Sequence, residues 1–132
     1  MAGQPKKQRA RRGEPVPDAA TLIVRGDLLD PEALRDDAVD NFEIYGYWGV
    51  SVFAEVGGFD VAWIASNKLS GARWLVVFRA GDVLASGLDL WDTGQSPHYD
   101  VVHQDVDELV ARLVACPHRI IRNPTEPPGG SR

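Results

Sequence analysis

Residues 21–55 read TLIVRGDLLDPEALRDDAVDNFEIYGYWGVSVFAE. Three periodicities follow one another in this stretch, and they decide the fold class. Thr21-Leu-Ile-Val24 is a short apolar run rich in β-branched residues, ended by Arg25-Gly26, and it reads as a buried strand. Asp30-Pro31-Glu32 then opens a helix: a capping carboxylate, a proline at the first helical position and an acid at the positive end of the helix dipole. Leu34, Ala38, Phe42 and Tyr45 recur at helical spacing until Gly46 stops the run. Asp36, Asp37, Asp40 and Glu43 fall mainly on the other side, so the helix offers a concentrated acidic face. Gly49 to Glu55 alternates and reads as a second strand, closed by Gly57-Gly58.

The same signals continue outward. Asp60 caps a short helix carrying Val61, Ile64 and Ala65, and Trp74-Leu-Val-Val-Phe78 is a third strand, apolar enough for the interior of a sheet. Gly81-Asp82 opens a helical turn that Gly87 ends. Leu88–Trp91 and His98–His103 form a hairpin across the Thr93–Pro97 turn. Asp105-Val-Asp-Glu108 is a capping box in its aspartate form, and Val106, Leu109, Val110, Leu113 and Val114 supply the apolar stripe of a last helix that Pro117 ends. His118–Arg122 adds an edge strand. The order predicts a single α/β or α+β domain, with a mixed sheet of about five or six strands and two to three packed helices. Leu34, Phe42, Val76, Leu109 and Leu113 are the expected core.

Length and charge narrow the function classes. At 132 residues and 44% hydrophobic content the chain holds one domain with one core. The net charge of −5 conceals an asymmetry, because Lys6, Lys7, Arg9, Arg11 and Arg12 stand within the first thirteen residues, leaving nine basic against nineteen acidic side chains, a balance of −10. A body of that sign repels phosphate backbones and favours basic protein partners; nucleic acid would be met at most through residues 6–12. Residues 1–19 and 123–132 lack apolar side chains to bury and read as a disordered basic arm and a disordered Pro/Gly-rich tail around a domain of residues 20–122. No early segment joins a positive start to a continuous apolar run, so neither a secretory signal nor a membrane span is expected, and the single Cys116 fits a reducing cytoplasm.

The densest chemistry lies in Leu88–His103, with two histidines, a tyrosine and aspartates around one turn. On a strand His98 and Asp100 share a face while Tyr99 and His103 take the other, so the two histidines do not converge on one metal, and no metal or cofactor is expected. His98 with Asp100 could serve general-base chemistry, or the pair could satisfy the backbone of the turn. Arg25, at the end of the first strand, could hold a phosphate or carboxylate with its fork, or pair with Asp27 or an acid of the first helix. Tyr45, Tyr47 and Trp48, set between glycines, could stack on a flat ligand or pack as a hydrophobic hinge.

Through its Val-Arg-Gly-Asp (24–27), Tyr-Gly-Tyr-Trp-Gly-Val-Ser-Val-Phe (45–53) and Pro-His-Tyr-Asp-Val-Val-His (97–103) stretches, the chain resembles a family of small uncharacterised proteins from high-GC bacteria, over most of residues 21–122. It is also similar to ADP-ribosyltransferase-like toxins, which place an Arg-Gly on the first strand, a Ser on a later one and an acid on another. Arg25, Ser51 and Asp100 would fill those places, while the Ser-Thr-Ser run and terminal Glu of that family have no counterpart. The first expectation is a non-enzymatic acidic interaction module of antitoxin, immunity or operon-partner type, its basic partner encoded next door, with Asp36, Asp37, Asp40, Glu43, Tyr45, Tyr47 and Trp48 as the binding set. The alternative is a small toxin-like enzyme, ADP-ribosyltransferase-like or a nuclease, acting on RNA or a nicotinamide nucleotide through His98, Asp100, Arg25 and Ser51.

Overall fold

β1 (Leu22–Gly26) and β2 (Gly49–Ala54) stand at the centre of a six-stranded sheet, with β3 (Trp74–Arg79), β4 (Asp89–Gln95), β5 (His98–Val102) and β6 (Arg119–Arg122) completing the order β4-β5-β2-β1-β3-β6. The computed structural model describes residues 18–125. The basic residues 6–12 and residues 126–132 of the tail lie outside that range. All five pairings are antiparallel. The path of α1 (Pro31–Tyr45) accounts for the central pair: Arg25 near the end of β1 meets Asp37 in the middle of the helix, and Asn41 near its end meets Gly49 at the start of β2. Asp37 and Asn41, one turn apart on the helix, thus meet Ser51 and Gly49, two residues apart on β2, so this part of the helix lies along that strand, and β2 begins at the end of the sheet where β1 stops.

The helix starts and stops are local chemistry. Asp30 accepts from the Glu32 amide with Pro31 in the first turn, and Gly46 closes the helix at φ 85°, where a side chain would be strained. Asp60 caps α2 (Val61–Asn67) at the Trp63 amide, and Asp105 caps α4 (Val106–Ala115) at the Glu108 amide. α3 (Ala80–Ala85) is a single short turn after β3.

Alternation along the strands divides the core in two. On one face Ile23, Val50, Val52, Val76, Phe78 and Val101 pack under α1, α3 and α4, with Leu34, Ala38, Leu109 and Leu113 pointing in. On the other, Val24, Leu75 and the edge of Phe53 meet Ile64 and Ala65 of α2. The result is three layers, the second face being helix-covered only over its β1-β3 half. Leu34, Val76, Leu109 and Leu113 are buried as expected, but Phe42 is not: it is 42% exposed. The buried stripe of α1 runs through Leu34, Ala38 and Asn41, whose amide donates to the Gly49 carbonyl at 2.5 Å. That polar tie takes the inward position and turns Phe42 to the flank, where it stacks on Trp48 with centroids 4.0 Å apart. Asn123, which opens the tail, is buried and donates to the carbonyls of Leu69 and Ala72. Among the described residues no helix is long and apolar enough to cross a membrane.

Candidate functional site

The half of the second sheet face that α2 leaves uncovered carries Asp100. Register fixes its surroundings: Ser51 of β2 lies opposite on one side and Trp91 of β4 on the other, so the three side chains share a face. Asp100 is nevertheless 0% exposed. Its cover comes from Tyr47, whose hydroxyl donates to Asp100 Oδ2 in a short hydrogen bond and whose ring packs on Trp91 with centroids 4.9 Å apart. Gly49 makes this possible. A β-carbon there would stand 2.7 Å from Tyr47 Cε2, so the ring lies down on the sheet only because residue 49 has no side chain.

His98 shares the face of Asp100 but serves the hairpin turn. The Thr93 hydroxyl donates to the His98 carbonyl at 2.9 Å, which uses its only proton; at 2.8 Å from the same oxygen, His98 Nδ1 is therefore the donor and carries a proton. Nε2 lies 3.8 Å from Asp100 Oδ1, beyond hydrogen-bond reach. The ring is clasped edge-on by Phe53 at 5.3 Å and is nearly buried. The turn itself contains a cis Ser96–Pro97 peptide.

Arg25 turns to the opposite face. It donates to Asp37 Oδ2 at 2.9 Å and to the Ser51 carbonyl at 2.8 Å, and the same carboxylate oxygen accepts from the Ser51 amide at 3.0 Å. Asp37 is thus the helix acid that holds Arg25, and it braces β1, β2 and α1 instead of joining the outer acidic face. Asp36, Asp40 and Glu43 do stand exposed there. Of the four residues expected for catalysis, Ser51 and Asp100 are neighbours, His98 approaches Asp100 without bonding it, and the guanidinium of Arg25 is engaged on the far side of the sheet. Arg25 and Ser51 also border a shallow pocket of about 340 Å³ with Lys68. Among the described residues no three His, Cys, Asp or Glu side chains gather at metal-binding distance.

A second concavity, a cleft of about 530 Å³, lies at the end of the sheet where β2 and β4 begin and β5 ends. Phe42, Tyr47, Trp48 and Trp91 line it together with Asp89 and His103. Tyr45 stays just outside, its ring 6.1 Å from that of Tyr47. His103 Nδ1 accepts from the Asp105 amide at 2.9 Å, which fixes the ring beside the N-terminus of α4. Sequence reading found Tyr47 and Trp48 but not Trp91 or Asp89. A hairpin symmetric about Thr93–Pro97 would set Trp91 opposite Tyr99; the register shift between Asp92 and Gln95 moves it opposite Asp100, and that bulge carried no signal in the sequence. Compared with protein-family models, curated proteins and solved structures, the chain matches none.

Proposed function

We propose that this chain is a non-enzymatic interaction module of antitoxin, immunity or operon-partner type, which grips a basic protein partner in the cytoplasm. One observation carries the reading. The outer face of α1 exposes Asp36, Asp40 and Glu43 beside the exposed rings and branches of Phe42 and Ile44, while Arg35, the one cation of that helix, is drawn off by Asp107 of α4. Acids interleaved with apolar side chains fit a basic segment that also carries apolar anchors: charge steers the encounter and the apolar contacts hold it. The test is co-expression of the full chain with its small basic neighbours. The partner should be retained by the native chain, released at raised salt, and lost from the triple variant Asp36→Asn, Asp40→Asn, Glu43→Gln. Equal retention by both forms would take the contact off α1.

A second reading, a small toxin-like enzyme acting on RNA or a nicotinamide nucleotide, draws on the buried Tyr47–Asp100–His98 cluster and on the Arg25, Ser51 and Lys68 pocket. It requires turnover of RNA or of the dinucleotide that disappears in both Asp100→Asn and His98→Ala with the fold kept by circular dichroism.

A further inference from the structure

From the aromatic cleft we infer a cation site: it receives the guanidinium or ammonium group of a side chain on the basic partner. The inference rests on the module reading and names the chemistry its contact takes. Four aromatic rings line this one concavity. Phe42 and Trp48 are stacked with an interplanar angle of 19°, and Tyr47 and Trp91 are tilted at 51°. Ring faces carry negative potential and attract a cation held within about 6 Å of the centroid, Trp best of all. The carboxylate in the lining is Asp89, exposed at the start of β4, and among the described residues no lysine or arginine lines the cleft. The guanidinium that reaches its rim, that of Arg112 beside Gly87, is already engaged by Glu108 at 2.9 Å and by the Ser86 carbonyl at 3.0 Å.

Charge selects among flat ligands. A nucleotide would set its phosphates against Asp89 and the exposed Glu43 next to Phe42, whereas an arginine side chain brings a planar cation that stacks on the rings and offers a fork of donors to the carboxylate. The site suits a side chain presented by a protein segment, since the acids of α1 lie beyond Phe42 and would meet the flanking basic residues of that segment.

The probe is a short peptide of alternating glycine and arginine, set against the same peptide with citrulline, which keeps the shape and removes the charge. Both are titrated into the full chain at low salt while the indole resonances of Trp48 and Trp91 and the amides of Asp36, Asp40 and Glu43 are followed by NMR. The arginine peptide shifts the indoles and the citrulline peptide does not. Trp91→Leu weakens binding about tenfold, which is ~1.4 kcal/mol, and Asp89→Asn, at an exposed position that leaves the fold alone, weakens it about threefold. Indoles that stay still while the α1 amides move would overturn the cation site and keep the module; if neither set moves, both readings fall. Citrulline binding as well as arginine would also overturn the site. So would indole shifts on simple dilution, which would give the cleft to a second copy, or indole shifts on replacing Lys6, Lys7, Arg9, Arg11 and Arg12 by Gln, which would give it to the chain's own basic segment.

Discussion

Removing one oxygen from Tyr47 tests how the uncovered half of the sheet is sealed. Tyr47→Phe keeps the ring against Trp91 and over Gly49 but withdraws the hydroxyl that donates to Asp100 Oδ2. Asp100 has 0% of its surface exposed, so water cannot replace that donor without the cover opening. Withdrawing the donor from a buried acceptor costs about 1–3 kcal/mol. A loss of about 2 kcal/mol is therefore expected, which lowers Tm by roughly 8–16 °C in a domain of this size. The assay is urea unfolding at neutral pH followed by indole fluorescence, with Asp100→Asn and the double variant completing a cycle. The coupling between the two positions should be about 1.5 kcal/mol or more. A loss below about 0.5 kcal/mol for Tyr47→Phe, or additive effects in the double variant, would refute the reasoning and show that the hydroxyl does not seal the carboxylate.

Other substitutions probe the neighbouring claims. Gly49→Ala places a β-carbon 2.7 Å from the Tyr47 ring, so the ring must lift and the near-ultraviolet dichroism of the aromatic cluster should fall along with about 1–3 kcal/mol of stability. Leu109→Ala, in the centre of the larger core, should cost about 2–5 kcal/mol, whereas Phe42→Ala should cost under about 1.5 kcal/mol because its ring keeps much of its contact with water; equal losses in thermal melts would contradict the flank position of Phe42. Burial holds the Cys116 thiol above its ordinary value of 9.0, with a smaller upward push from Asp82 against a downward pull from Ser86. The folded state thus keeps its proton more tightly than the unfolded one, so this stabilisation is complete below that value and is lost as pH rises through the folded-state value. Native protein should react slowly with a thiol reagent at mildly alkaline pH, and Cys116→Ala should flatten the fall of stability at higher pH.

Much of the fold was legible because its signals are local. The aspartate caps, the glycine stops and the alternation of Gly49–Ala54 depend on residues a few positions apart, and the elements lie close to where those signals put them, except that β4 runs on to Gln95, through residues read as the turn. The acid partner of Arg25 was legible as a class, one acid of the first helix, but not as Asp37, because choosing it requires knowing which turn of the helix lies over Ser51. Phe42 was misread for a related reason. Spacing alone admits both 41 and 42 to the inner stripe, hydropathy favours the phenylalanine, and a carbonyl on another element decides for Asn41. The cleft was half visible: Tyr47 and Trp48 stand out between glycines, but Trp91, Asp89 and His103 reach them only through the β2-β5 register, which joins positions about fifty residues apart, and the shifted β4-β5 register.

That registry also sets a timetable for folding. β1, β2 and β3 span residues 22–79, and β2 and β3 both pair with β1, so the middle of the sheet can assemble early. The outer ladders must wait, because Ser51 meets Asp100 and Val76 meets Ile120 across loops of roughly fifty residues whose closure entropy is paid before the contacts form. During that interval β2 and β3 present bare edges of backbone donors and acceptors to any other chain nearby. Crowded refolding should therefore lose material to association at this stage, and a β4-β5 hairpin that forms fast on its own would be the native sequence's way of shortening the exposure.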